Sequence, residues 1–357
     1  MMNTLQERCF SKEWLAEQRK HMRRVDPGLL EKSIYALELV GHLVRRKLPF
    51  VFKGGTCMVL LLEEIRRLSI DVDIVCAVPV AEMESVLRAI SEESRFENFE
   101  PDPRGPDRLP KRSHYKFSYT SAVNGKTADI LLDVMEEANL YPKTITKPVA
   151  APFAIPENQF DVEIPTIECL TADKLTAFAP GTIGVRYSAR GAALKILKHC
   201  ADIGILFDHC RNMSELLVAY ENIWKAENSY RNSAFSREQI LDDTIEAARM
   251  ISLIGLKGCP VSENVRTLET GVHQLDSHIV GRHFSRDEAK TCAAKAAWLA
   301  SAIGFENDKI PFLRYNPEEL PEMVKTPMQN EYAPLNKLRA GSPEAYYYWW
   351  KISQKLL

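Results

Sequence analysis

Apolar residues recur with two different periods along this chain. Leu30, Ile34, Leu37 and Val44 follow Asp26-Pro27 at helical spacing. A capping acid and a first-turn proline ahead of such a stripe predict a helix over 26–48. Pro49 resets the chain, and Phe50-Val51-Phe52 predicts a short strand that Gly54-Gly55 breaks. Thr56 is placed to cap a helix running to about Arg67. From Ser69 to Cys76 the period falls to two. Ile70, Val72, Ile74 and Cys76 share one face, while Ser69, Asp71 and Asp73 share the other. That predicts a strand that is apolar behind and acidic in front.

A helix is expected over 80–95, then a loop rich in Pro, Gly and Arg over 101–112. The stretch 113–121 alternates again, with Tyr115, Phe117 and Tyr119 on one side. Asn124-Gly125 signals a hairpin turn. The returning strand, 127–135, sets Ala128, Ile130, Leu132 and Val134 on one face and Asp129, Leu131 and Asp133 on the other. A Pro-rich link (142–165) leads to a helix at 169–178, a loop at 179–191 and a helix at 193–208. Beyond 210 the pattern is helical. Ser236 with Gln239 and Ser285 with Glu288 read as capping boxes, and Ser342-Pro343 opens a last helix that carries Tyr346–Trp350. Two lobes follow, 1–168 and 169–357.

Lys and Arg total 46 against 48 Asp and Glu, so no global basic excess points to nucleic acid and any such contact needs a local patch. Arg23-Arg24, Arg45-Arg46-Lys47, Arg66-Arg67 and Lys111-Arg112 are candidates, with solvated helix ends as the plainer reading. The eight cysteines include no Cys-x-x-Cys, and several sit in apolar runs, which suits a reducing cytoplasm better than a disulfide framework. Nothing in the sequence approaches the roughly 18–20 apolar residues of a membrane span, and the N-terminus lacks a signal-peptide core. His199-Cys200 and His209-Cys210 fall too far apart along a helix to share a zinc ion.

Carboxylates from two strands facing one cleft repel one another unless a cation sits among them. Mg²⁺ suits such oxygens and leaves positions for substrate phosphates, and a pair of ions supports in-line displacement at phosphorus. The Gly54-Gly55 turn at a helix start offers backbone N–H groups to a triphosphate, and Thr56 can add its hydroxyl. A phosphate cradle ahead of paired acids is the layout of a nucleotidyltransferase.

The segment FKGGTCMVLLLEEIRRLSIDVDI (52–74) resembles the first motif of the DNA-polymerase-β-like nucleotidyltransferases, in particular their AbiEii toxin-like branch: Gly-Gly-Thr, an apolar helix, then Arg67, Ser69, Asp71 and Asp73. ILLDVMEE (130–137) resembles the branch's third-carboxylate strand, favouring Asp133 over Asp129; ADKLTAFAPGTIG (172–184) its lysine helix; LKHCADIGILFD (197–208) a later motif. The resemblance covers roughly residues 30–210. It implies an α+β fold, a mixed sheet with flanking helices followed by a C-terminal helical bundle that closes the cleft. It implies that Asp71, Asp73 and Asp133 bind Mg²⁺, two ions in all, with Asp133 also orienting or deprotonating the attacking hydroxyl. Lys53, Gly54, Gly55, Thr56 and Ser69 would form the nucleotide side. Lys174 would neutralise the triphosphate, and Asp202 would belong to the active site. The implied activity is transfer of a nucleoside monophosphate from NTP to RNA, a tRNA 3′ end above all, by the toxin of a toxin–antitoxin or abortive-infection pair. The implied partner is a separate antitoxin.

Plainer readings stand beside these. Asp71 and Asp73 could be solvent-facing acids, Lys174 a surface lysine, and Asp202 the helical partner of Lys198. Arg186 and Arg190 could reach phosphate or acceptor. The aromatic run at 346–350 could stack on bases, although docking against the protein's own core is the commoner use. A small-molecule acceptor, or a non-catalytic partner-binding role, are the rival functions.

Overall fold

The computed structural model describes residues 3–22, 25–102, 110–259, 261–305 and 310–355; Arg23-Arg24 and most of the 101–112 loop lie outside these. The chain forms two compact units, Met1–Thr166 with Ser277–Arg282, and Ile167–Asp276 with His283–Leu357.

The first unit begins with α1 (Lys12–His21), α2 (Pro27–Arg45), β1 (Val51–Lys53), α3 (Met58–Leu61), β2 (Val72–Val75) and α4 (Val80–Glu93). It continues with β3 (Asn98–Pro101), β4 (Arg112–Thr120), β5 (Thr127–Met135), β6 (Thr144–Pro148) and β7 (Asp161–Pro165). Five strands make a mixed sheet of order β1-β2-β5-β4-β3. β2 runs parallel to β5, and the other neighbours are antiparallel. The apolar parity seen in the sequence is the buried face: Phe52, Val72, Ile74, Tyr115, Phe117, Tyr119, Ile130, Leu132 and Val134 are all buried. Helix α2 packs there, with Tyr35 stacked on Tyr119 at 3.6 Å between ring centroids. Asp26 caps α2 as expected, its carboxylate accepting from the Leu29 N–H at 3.0 Å.

Two expectations fail here for tertiary reasons. The helix expected from Thr56 to Arg67 stops after one turn, at Leu61. Beyond it the chain extends to pair with the Ser277–Arg282 segment: the Leu68 N–H donates to the His278 carbonyl and the Val280 N–H to the Arg66 carbonyl. That long-range pairing overrides the local helical preference of the segment. The Pro-rich link contains a two-stranded antiparallel sheet, β6–β7, in which Pro148 and Pro165 stand at strand ends where a missing N–H is tolerated.

Helix α2 also carries a buried acid. The Glu38 carboxylate accepts from Thr4 N (3.1 Å), Leu5 N (2.8 Å) and Thr4 Oγ1 (2.6 Å), and meets His42 Nε2 at 3.0 Å. Burial alone would push this carboxyl up, but the His42 and Thr4 contacts outweigh it and hold it below the usual glutamate range. A depressed carboxyl stabilises the fold above its unfolded pKa, roughly 4.3, and that stabilisation is lost as pH falls through the folded value. Glu38→Gln should therefore cost about 3 kcal/mol at pH 7. Calorimetric melting at pH 7 and at acid pH checks this: the gap between wild type and variant should narrow on acidification.

The second unit consists of helices among its described residues. They are α5 (Ile167–Ala177), α6 (Ala192–Phe207), α7 (Met213–Ser229), α8 (Arg237–Leu253), α9 (Glu263–Leu275) and α10 (Arg286–Gly304), then α11 (Leu320–Met323), α12 (Leu338–Gly341) and α13 (Pro343–Ser353). Both capping boxes form, at Ser236/Gln239 and Ser285/Glu288. The aromatic run on α13 faces inward. Tyr346, Tyr347, Tyr348 and Trp349 are buried, and Trp349 Nε1 donates to Ser252 Oγ at 2.8 Å, so packing rather than base stacking occupies them. The eight cysteines are free thiols. Among the described residues no helix is long and apolar enough to cross a membrane.

Candidate active site

The solvent-side face of the five-stranded sheet carries one polar row. Register pairs Lys53 with Asp73 across β1–β2, Asp73 with Asp133 across β2–β5, and Asp133 with His114 across β5–β4. Partners in register point to the same face, and neighbouring strands lie about 4.8 Å apart, so four side chains from four strands stand side by side. All four are half-buried, whereas Phe52, Val72, Ile74, Leu132, Val134 and Tyr115, next to them in sequence, are buried on the opposite face. The row reads cation, carboxylate, carboxylate, imidazole.

The Gly54-Gly55 turn abuts this row. Gly54 has φ +79°, and a Cβ built on it would lie 2.0 Å from Asp73 Oδ2. Only glycine permits both that backbone and that approach. A Cβ on Gly55 would lie 2.6 Å from an Arg67 guanidinium nitrogen and 2.8 Å from Ser69 Oγ. The turn is thus wedged between Asp73 on one side and Arg67 and Ser69, both buried, on the other. Thr56 does not cap the helix as expected. Cys57 holds that position, and the Thr56 hydroxyl donates to the Asp71 carbonyl at 2.5 Å, tying the turn to the acid strand. Thr56 is fully buried, so its part in the site is this tie.

Asp71 stands one residue ahead of β2, and the strand expected from Ser69 begins only at Val72. Asp133 is held by His114, Nδ1 to Oδ1 at 2.7 Å. Asp129, the alternative third acid, lies four pairs further along the hairpin, where its carboxylate accepts from Ser118 Oγ at 2.8 Å. Among the described residues no group of three or more His, Cys, Asp or Glu side chains is gathered to hold a metal ion. The donor set nonetheless suits Mg²⁺, which takes hard oxygens and is commonly held by one or two carboxylates together with substrate phosphates. Asp73 and Asp133 are such a pair.

The second unit brings its own two candidates together. Lys174 Nζ on α5 lies 3.1 Å from Asp202 Oδ2 on α6, with 5% and 1% of their side chains exposed. The partner of Asp202 is therefore Lys174 as well as any helical neighbour, and Lys174 is not a surface lysine. The loop between α5 and α6 is pinned by Asp243 of α8, which accepts from Gly181 N, Thr182 N and Thr182 Oγ1. Burial pushes the Asp243 carboxyl up, against the pull of these donors. Arg186 and Arg190 stand exposed on that loop.

His114 is the residue that sequence reasoning missed. A signal existed, because it shares the polar parity of the hairpin with Asp129 and Asp133. A tight two-residue Asn124-Gly125 turn, however, would set Lys116 opposite Asp133. The loop is longer: Ser121 N bonds to the Lys126 carbonyl, and this shift sets His114 opposite Asp133 instead.

Against known proteins, the sequence model of the nucleotidyl transferase AbiEii toxin family, type IV toxin–antitoxin systems, matches residues 41–256, more than half the chain. No curated protein matches. Among solved structures, JHP933 from Helicobacter pylori is similar at 15% identity and TM-score 0.45, over 79% of this chain and 94% of its own. A second H. pylori structure aligns at 14% identity and TM-score 0.43, over 83% of this chain and 96% of its own. An antigenic nucleotidyltransferase-like protein from Paracoccidioides brasiliensis aligns at 14% identity and TM-score 0.36, over 57% and 91% of the two chains.

Proposed function

The chain belongs to the AbiEii nucleotidyltransferase toxin family, and from that premise we propose that it transfers a nucleoside monophosphate from an NTP to an RNA acceptor, specifically a tRNA 3′ end. It acts as the toxin of a toxin–antitoxin or phage-defence pair, restrained by a cognate antitoxin. The observation that carries this reading is the register of Asp73 with Asp133 beside the Gly54-Gly55 turn.

Asp73 and Asp133, with Asp71 two residues ahead of Asp73, would hold Mg²⁺. The bound metal supplies charge neutralisation on the phosphates and stabilises the leaving oxygen. The backbone N–H groups of Gly54 and Gly55 take the β- and γ-phosphates, supported by Lys53 and by the Thr56 and Ser69 contacts that hold the turn. Asp133 orients the acceptor hydroxyl and takes its proton. The hydroxyl oxygen forms a bond to the α-phosphorus, the bond from that phosphorus to the β-bridging oxygen breaks, and pyrophosphate leaves. Positioning and charge stabilisation account for most of the rate. Lys174, set by Asp202, neutralises triphosphate charge. The exposed Arg186 and Arg190 support a polyanionic acceptor over a small one.

The test is incubation with each α-labelled NTP and Mg²⁺, using total RNA or a panel of small hydroxyl compounds as acceptor. Label in the tRNA fraction is expected. Label confined to small molecules would overturn the acceptor. No label from any NTP, with folded protein, would leave a partner-binding role in place of the enzyme.

A further inference from the structure

We infer that His114 is a positioning residue for Asp133, an inference that rests on the reading of Asp133 above. A carboxylate can only accept, so the hydrogen in the 2.7 Å contact lies on His114 Nδ1. The two residues are directly opposed across β4–β5, and 17% of the His114 and 30% of the Asp133 side chain is exposed, so the contact is partly shielded from water. On its other side Asp133 faces Asp73, a like charge in register. That like charge favours rotation of the Asp133 carboxylate away from Asp73. His114 opposes that rotation by binding one oxygen from the far side of the row. The carboxylate is then held in line with Asp73 before any cation or triphosphate arrives. The second acid on the same hairpin takes a serine hydroxyl, Ser118 to Asp129, a rotor that satisfies an oxygen without a rigid ring behind it. A planar ring anchored on β4 restricts Asp133 more, which is what a ligand that must not swing requires.

The position of the donor gives a sharp test. His114→Asn places an amide N–H close to where Nδ1 stands. His114→Gln carries its N–H out to the Nε2 position, and His114→Ala has none. Mn²⁺ affinity, measured on the metal alone by electron paramagnetic resonance, is the first readout. The second is the split between kcat and KM for NTP, with thermal melting as the folding control. His114→Ala and His114→Gln should weaken Mn²⁺ binding by about 10–100-fold and lower kcat with little change in KM, while His114→Asn recovers most of both. Wild-type Mn²⁺ affinity in His114→Ala, or an Asn variant as impaired as Ala despite equal melting, overturns the inference. Asp133→Asn separates the two levels. If that change leaves Mn²⁺ binding and transfer intact, the assignment of Asp133 falls and this inference with it. If Asp133→Asn abolishes both while the His114 variants do nothing, the inference alone falls.

Discussion

Asp73→Asn should abolish nucleotidyl transfer, lowering kcat/KM by about 10³-fold or more, with the melting temperature unchanged or slightly raised. The substitution keeps size and shape and removes one charge from the centre of the Lys53–Asp73–Asp133–His114 row. Asp73 is half-buried and lies in register with a carboxylate on one side and Lys53 on the other, so losing its charge relieves repulsion and removes attraction together. Its carboxylate also lies against the Gly54 backbone, where a triphosphate and its cation would meet. Asp129→Asn is the matched control. That acid already accepts from Ser118 and lies four pairs further along the hairpin. On this account it changes kcat/KM by less than about 3-fold, within the ordinary range for a residue outside the reacting centre. Steady-state kinetics on the two variants therefore decides which acid of the hairpin belongs to the chemistry.

The second large effect lies in the helical unit. Lys174→Met should destabilise it by about 3–5 kcal/mol, because it leaves the buried Asp202 carboxylate without its lysine. Replacing both members, Lys174→Met with Asp202→Leu, should restore most of that loss, since a buried ion pair is often matched by apolar residues of similar volume. The midpoint of urea unfolding, followed by a probe in this unit, measures both steps. Transfer activity separates structure from function. If the pair only holds α5 against α6, activity returns with stability in the double variant. If Lys174 acts on the triphosphate, the double variant is stable and remains inactive, which is the outcome expected here.

Much of this site was legible before any coordinates. The parity of Asp73, Asp129 and Asp133 follows from strands that bury one face, and there the buried face is the one the apolar residues marked; ahead of β2 the pattern breaks, with Ser69 buried and Ile70 only half-buried. Asp26, Ser236 and Ser285 announced helix starts because capping is local chemistry. What was not legible depends on pairing between distant segments. The helix after Thr56 is cut short because residues 66–68 bond to residues 278–280, far along the chain. The β6–β7 sheet hides behind prolines that stand at strand ends. The role of His114 turns on how many residues close the hairpin, since a shift of two in loop length exchanges Lys116 for His114 opposite Asp133. Asp202 paired with Lys174 required knowing that α5 and α6 pack together; along the sequence Lys198 was the nearer partner.

Crystals grown with Mn²⁺ and a non-hydrolysable NTP analogue would locate the cation, because manganese is identified by its anomalous scattering. The expected result is a manganese peak bonded to carboxylate oxygens of both Asp73 and Asp133, with the β- and γ-phosphates on the Gly54 and Gly55 amides. A bound triphosphate whose manganese touches neither acid would contradict it.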